Sequence, residues 1–399
     1  MTIFDGLVGQ EVAVHELQRA ADAARSSQAR IADTNAEHVA SQAMSQAWLF
    51  TGPPGSGRSL AALSLAGALL CTGPVAGCGQ CPQCRSVLER NHPDVTLVST
   101  DQVTITAENV REYVARSYVA PTSGAWRIII IEDADRMLTR TTNVLLKAIE
   151  EPGARTVWML CTAAAADVLP TIRSRCRNIN LVTPHASLVA DLLVQRDGVE
   201  PKLAHVAARA AQSHIGVARA LATDPQAAAI RTNTLNVLAK IKGVGDAALG
   251  AHLLADTVAM RGGELTKKDL QEEDSKALEE QRMAALGLDA GSKIPASVRS
   301  QIKESAEAAR RRQTRQERDI LDREMVYMLA FYRDVLVQQM GAKVELINID
   351  YEQAINRIAS STTTQITLRR LDLISQGRAR LKANVPSQLV MESILVGLR

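Results

Sequence analysis

Four cysteines, Cys71, Cys78, Cys81 and Cys84, stand in the pattern C-x6-C-x2-C-x2-C. Tetrahedral zinc takes four soft donors at about 2.3 Å, and C-x2-C pairs supply such donors from a tight backbone. Gly77 and Gly79 permit that backbone. Four thiolates leave no open coordination position, so the pattern predicts a structural Zn2+. The alternative, four unrelated buried thiols, does not account for the spacing. Cys161 and Cys176 lie in strand-like surroundings and read as ordinary core residues.

A second group follows a short apolar run. Gly52, Pro53, Pro54, Gly55, Ser56, Gly57, Arg58 and Ser59 fit the phosphate-loop spacing G-x-x-x-x-G-K-[S/T], with Arg58 where lysine is usual. Backbone N–H groups of such a loop cradle a polyphosphate, the following helix adds its positive end, and Ser59 would ligate magnesium. Arginine is larger, planar and forked. It either holds nucleotide in an altered pose or fills the site with its own side chain; the bland reading is a relic loop that binds nothing. Glu132 and Asp133 follow an isoleucine run, where the second phosphate-site motif normally reads Asp-Glu. Reversing two acids moves each carboxylate by about one bond, and a misplacement near 1 Å can cost ~100-fold in rate.

These groups need elements to position them. Ala47–Thr51, Val95–Val98, Trp126–Ile131, Thr156–Thr162 and Arg177–Leu181 read as strands, and four consecutive isoleucines are apolar on both faces as a central parallel strand requires. Gln10–Arg25, Ser59–Cys71, Ala107–Ser117 (N-cap Thr106) and Thr139–Glu151 read as helices, and 26–45 as a loop. The alternation implies an α/β domain with a parallel sheet and flanking helices. After Pro184 the strand signal ends. His185–Asp224 gives three short helical patterns, and the rest is helical, with packed helices on both sides of Asn384-Val385-Pro386. Residues 261–324 carry as many basic as acidic side chains and no aromatic, and read as a solvated helical insertion or a partly disordered one.

Bulk properties bound the remainder. The chain has 399 residues, room for two to four domains at roughly 100–200 residues each. A net charge of +3 does not by itself argue for nucleic acid. No apolar run is long enough to span a membrane and the N-terminus lacks a secretory signal, so a cytoplasmic protein is expected.

Several separate stretches resemble one family, the AAA+ clamp-loader subunits of bacterial DNA polymerase III. They are Phe4-Asp5 with Val8-Gly9-Gln10-Glu11, the Trp48–Gly55 strand and loop, and the cysteine module directly after the phosphate-loop helix. His92-Pro93-Asp94, the helix Asn143–Pro152 (similar to N-x-L-L-K-x-L-E-E-P) and Ser174-Arg175-Cys176 complete the set. The resemblance spans residues 1 to about 220. It implies an AAA+ P-loop domain over 1–183 with a zinc module at 71–84, a small helical lid over 184–245, and an all-α collar over 246–399. It implies work in a hetero-pentamer with motor and delta subunits, which loads a sliding clamp onto primed DNA in the bacterial replisome. The altered nucleotide motifs resemble the delta-prime type, in which Arg175 is an arginine finger offered to ATP on a neighbouring motor subunit. Thr162 and Arg219 match the two sensor positions that face nucleotide in the same subunit. The competing readings are an ATP-hydrolysing motor or related AAA+ remodeller, and a zinc-dependent nucleic-acid module. The last has little support, because few basic residues (Arg85, Arg90) and no aromatics adjoin the cluster.

Overall fold

The computed structural model describes residues 2–31, 44–98, 105–137, 139–272, 296–383 and 385–399. The chain divides into two compact units, Met1–Arg219 and Ala220–Arg399.

In the first unit, β1 (Ala47–Thr51), β2 (Val95–Val98), β3 (Arg127–Ile131), β4 (Thr156–Thr162) and β5 (Arg177–Asn180) form one parallel sheet in the order β2-β3-β4-β1-β5. Every residue of β1, β3 and β4 is buried, because helices cover both faces. Trp48, Phe50, Ile128 and Ile130 meet α1 (Glu11–Ile31) and α2 (Arg58–Leu70) on one face. Leu49, Ile129, Ile131, Trp158 and Leu160 meet α4 (Ala107–Ser117) and α5 (Thr139–Glu150) on the other. Ala61 to Leu70 are buried around the whole of α2, which is why that helix is built from Ala and Leu rather than from an amphipathic pattern. Thr106 caps α4, its hydroxyl accepting from the Asn109 N–H at 3.4 Å. The first helix outruns its expected end at Arg25: the segment after it, expected to be loop, is helical as far as Ile31, and no Gly or Pro interrupts Ser26–Ile31. The rest of that expected loop, up to residue 43, lies outside the described residues.

Asp94 shows what the His-Pro-Asp stretch does. Its fully buried carboxylate accepts from the backbone N–H groups of Thr122, Ser123 and Gly124 at 2.6, 2.7 and 2.7 Å and from Arg127 at 3.3 Å. It thereby ties the α4–β3 loop to the start of β2. Burial alone would raise its pKa, but those three donors override it and hold the group at about 2, below the ordinary 3.8. The stabilisation is therefore complete above the ordinary value and is lost as pH falls through 3.8 towards 2. Asp94→Asn is expected to cost about 3 kcal/mol in urea unfolding at pH 7, with a difference from wild type that shrinks in acid.

The first unit also contains the helices α3 (Pro82–Leu88), α6 (Pro170–Arg173), α7 (Ala186–Asp197) and α8 (Pro201–Ala210). The next helix, α9 (Ile215–Thr223), contains the division between units. The second unit is helical: α10 (Pro225–Lys240), α11 (Val244–Glu272), α12 (Ala296–Gln339), α13 (Glu352–Ser361), α14 (Thr364–Lys382) and α15 (Ser387–Gly397). The charged stretch 261–324 is no separate element where described. Its ends are parts of α11 and α12, and residues 273–295 lie outside the described residues. Nor is it solvated throughout, since Leu321 and Glu324 are buried in the packing of α12. Glu324 accepts from the Thr234 hydroxyl at 3.4 Å, and among the described residues its Oε2 has no hydrogen-bond partner. Burial pushes its pKa from 4.5 to about 8. Ionising it works against the folded state, so stability falls as pH rises from 4.5 to 8. Glu324→Gln is expected to raise the melting temperature by several degrees at pH 8 and to leave it unchanged at pH 4.

Candidate functional site

The phosphate loop leaves β1 at the carboxyl end of the sheet, where open α/β sheets place ligands. Gly52, Gly55 and Gly57 have φ of 152°, 85° and 94°, so three of the loop's turns use backbone space that other residues rarely adopt. Gln10 holds the loop from the side. Its buried amide donates to the Val182 carbonyl at 2.7 Å and the Ser56 carbonyl at 3.3 Å, and accepts from the Val182 N–H at 3.1 Å. Arg58 turns inward, and its Nη1 donates to the carbonyl of Gly52 at 2.6 Å, closing the loop on itself. The Ser56 hydroxyl is buried and has no hydrogen-bond partner among the described residues.

The acids of β3 lie nearby but do not form a matched pair. Asp133 sits in the left-handed region at φ 52°, ψ 50° and meets Arg136 Nε at 3.4 Å. Buried Cys161 lies in the field of Glu132, Arg58 and Asp133: burial raises its pKa most, the acids add to that, and the guanidinium opposes it. One β4 thiol thus senses both halves of the expected nucleotide site. Thr162 is fully buried at the end of β4, level with Thr51 on β1, and its hydroxyl donates to the Ala164 carbonyl at 3.1 Å. Arg219 lies on α9 and pairs through Nε with Asp197 at 3.0 Å. Asp197 also receives Arg196 at 2.9 Å. Hydrogen bonding from Arg196, more than burial opposes it, lowers the pKa of Asp197.

The fit to magnesium nucleotide is therefore divided. The loop backbone has the form of a phosphate cradle, but the guanidinium in the lysine position donates to the loop's own carbonyl and the second acid pairs with its neighbour.

Arg175 is placed differently. It lies at the end of the turn after α6, about two-fifths exposed, with Nε 2.7 Å from Glu150 and Nη1 donating to the Thr171 carbonyl at 2.9 Å and to the Ser174 hydroxyl at 3.2 Å. Glu150 belongs to the helix matched above by its Leu-Leu-Lys stretch, so two separate motifs meet at this guanidinium.

The four cysteines come together. Their sulfur atoms all lie within 4.8 Å of one another, and Cys71 and Cys81 are 3.9 Å apart. Four sulfurs at about 2.3 Å from one ion stand roughly 3.8 Å apart, so the donor set fits zinc. Backbone N–H groups of Gly73 and Cys78 point at Cys71 Sγ (3.4 and 3.5 Å), that of Cys81 at Cys78 Sγ (3.4 Å) and that of Cys84 at Cys81 Sγ (3.4 Å). Such donors favour thiolate. Burial would raise the pKa of Cys81, but the N–H of Cys84 leads the contacts that bring it down to about 6. Pro82 at the first turn of α3 and Cys81 at its cap set the second knuckle.

A five-stranded parallel sheet in this order, with a phosphate loop leaving β1, acids leaving β3 and helices on both faces, defines an AAA+ P-loop domain. A family model described as DNA polymerase III, delta subunit matches residues 27–185. The DNA polymerase III subunit delta' of Bacillus subtilis is 25% identical over 89% of this chain and 91% of its own length. The subunit delta' of Pseudomonas aeruginosa is 31% identical over 39% of this chain and 48% of its own, so the match spans about half of that relative. The gamma/tau subunit of Mycobacterium tuberculosis is 33% identical over 43% of this chain and 27% of its own. A crystallised DNA polymerase III gamma subunit-related protein from Thermotoga maritima is similar over 89% of this chain and 95% of its own, with 17% identity and a TM-score of 0.41. These matches make the chain similar to the delta' and gamma/tau subunits of bacterial DNA polymerase III.

Among the described residues, no helix is long and apolar enough to cross a membrane. The cysteines, the loop, the acids, Thr162, Arg175 and Arg219 carry signals in the sequence. Gln10, Asp94 and Glu150 carry none for their roles, because their partners are remote in sequence.

Proposed function

We propose that the chain serves as a stator of the clamp loader, hydrolysing no ATP itself and offering Arg175 to ATP held by a neighbouring motor subunit. Its place is in the cytoplasmic replisome, beside motor and delta subunits in a hetero-pentamer that opens a sliding clamp and sets it on primed DNA. Residues 184–245 act as its lid and 246–399 as its collar. Cys71, Cys78, Cys81 and Cys84 hold a structural zinc ion.

One observation carries the reading: the Arg58 guanidinium is committed to the Gly52 carbonyl. A lysine there would present a compact charge to the β- and γ-phosphates. The placement of Asp133 against Arg136 points the same way. When bound, magnesium nucleotide would meet the loop backbone and Ser59, with Glu132, Thr162 and Arg219 as the remaining polar groups of that region. Arg175, held at the surface by Glu150 and Thr171, is available to an adjacent protein.

ATP turnover by the purified chain tests this. The expected result is no turnover above background, in wild type and in Ser59→Ala alike. Magnesium-dependent turnover that disappears in Ser59→Ala would make the chain a motor subunit, the competing reading.

A further inference from the structure

We infer that His214 is a clasp on the phosphate loop, which together with Arg58 keeps that loop shut to nucleotide. The inference rests on the stator reading and gives it a mechanism.

The turn between α8 and α9 is strained. Gln212 and Ser213, neither of them glycine, are both in the left-handed region with φ of 50° and 63°. Such consecutive positions cost free energy and persist only where surroundings impose them. Here the N–H groups of Gln212, Ser213 and His214 donate to the Arg209, Ala208 and Ala211 carbonyls at 2.8, 3.0 and 3.0 Å, and Ser213 is buried. The turn delivers His214 onto the crest of the phosphate loop. A β-carbon on Gly55 would lie 2.3 Å from His214 Cγ, 2.6 Å from its Cδ2 and 2.7 Å from its Cα. Both the ring and the backbone of His214 are pressed against the loop, so residue 55 must be glycine. The imidazole Nδ1 also accepts from the Val217 N–H at 3.3 Å, which fixes the ring to the first turn of α9, the helix of Arg219.

The loop is thus held at two points. Arg58 ties its base to the Gly52 carbonyl, and His214 covers its crest at Gly55. A phosphate cradle needs its backbone N–H groups open to the ligand, and here His214 packs over the crest while the Arg58 guanidinium occupies the base. Restoring lysine at position 58 removes only the first restraint.

Equilibrium titration with a fluorescent ATP analogue and magnesium, on the full chain, separates the two. His214→Asn removes the ring but keeps a side-chain oxygen able to cap α9, and unchanged circular dichroism and zinc content verify that the variant folds. The expected result is weak binding by Arg58→Lys and at least tenfold tighter binding by Arg58→Lys/His214→Asn. Equal affinity of the single and double variants would overturn the clasp while leaving the stator reading intact. Tight binding by wild type would also overturn it, and the stator reading would then stand or fall on turnover.

Discussion

Replacing Arg175 with alanine is expected to lower ATP turnover about a thousandfold in a clamp loader whose neighbouring motor subunit alone keeps an intact phosphate loop, the lower end of what a trans arginine contributes to phosphoryl transfer. The effect should come without loss of structure. Arg175 is half-exposed, and its pairing with Glu150 is a surface contact of the kind that contributes at most about 1 kcal/mol. The melting temperature of the isolated variant should therefore stay within a few degrees of wild type. Arg175→Lys keeps the charge but loses the planar fork that can donate to two phosphate oxygens, and should recover only a small part of the rate. The measurement is steady-state turnover by a complex reconstituted with each variant in the presence of clamp and primed DNA. Unchanged turnover with Arg175→Ala would remove the arginine finger from the account and leave the salt bridge to Glu150 as a structural feature.

The second large effect concerns the cysteine module. Metal analysis of the purified chain should find one zinc ion, and Cys84→Ser should abolish it. Structural zinc in small peptides contributes on the order of 10 kcal/mol to folding. In this larger unit part of that sum is supplied by packing, and a loss of several kcal/mol is expected. The module is not a detachable appendage. Cys84 is fully buried, the Ile3 N–H donates to the Gly77 carbonyl at 2.8 Å, and Arg25 donates to the carbonyls of Cys71 and Pro74 at 2.9 and 3.1 Å. Stripping the metal should loosen α1 and the end of α2 as well as the knuckles themselves. Cys161→Ser serves as the control, because that thiol lies in the β4 core: it should leave zinc content unchanged. Retention of zinc by Cys84→Ser, or no change in stability on chelation, would argue against a structural four-cysteine site.

What was legible in the sequence follows from how local each determinant is. The four-cysteine cluster is encoded by spacing within a short stretch, so it could be read directly. The strands were equally plain, because Ile128 to Ile131 and Trp48 to Phe50 are apolar on both faces and only a covered parallel sheet accommodates that. The identity of Arg58 announced an unusual loop, but two outcomes remained open, and the direction its guanidinium takes is decided by the Gly52 carbonyl, which only the folded loop presents. The left-handed Asp133 and the seat of His214 on Gly55 were out of reach for the same reason: each depends on contacts made after the chain has folded back on itself. The stretch 261–324 misled in a different way. Its charge balance suggested a solvated segment, yet Leu321 and Glu324 belong to the buried side of α12, and Thr234 from α10 meets Glu324 there. Composition averages over faces of a helix and hides such a boundary.

The central claim is a division of labour, in which this chain completes a neighbour's catalytic site and has no turnover of its own. The most direct test is a reconstituted complex in which every motor subunit carries a disabled phosphate loop and only this chain is wild type. No ATP turnover is predicted. Turnover that persists in that complex and vanishes with Ser59→Ala in this chain would contradict the account.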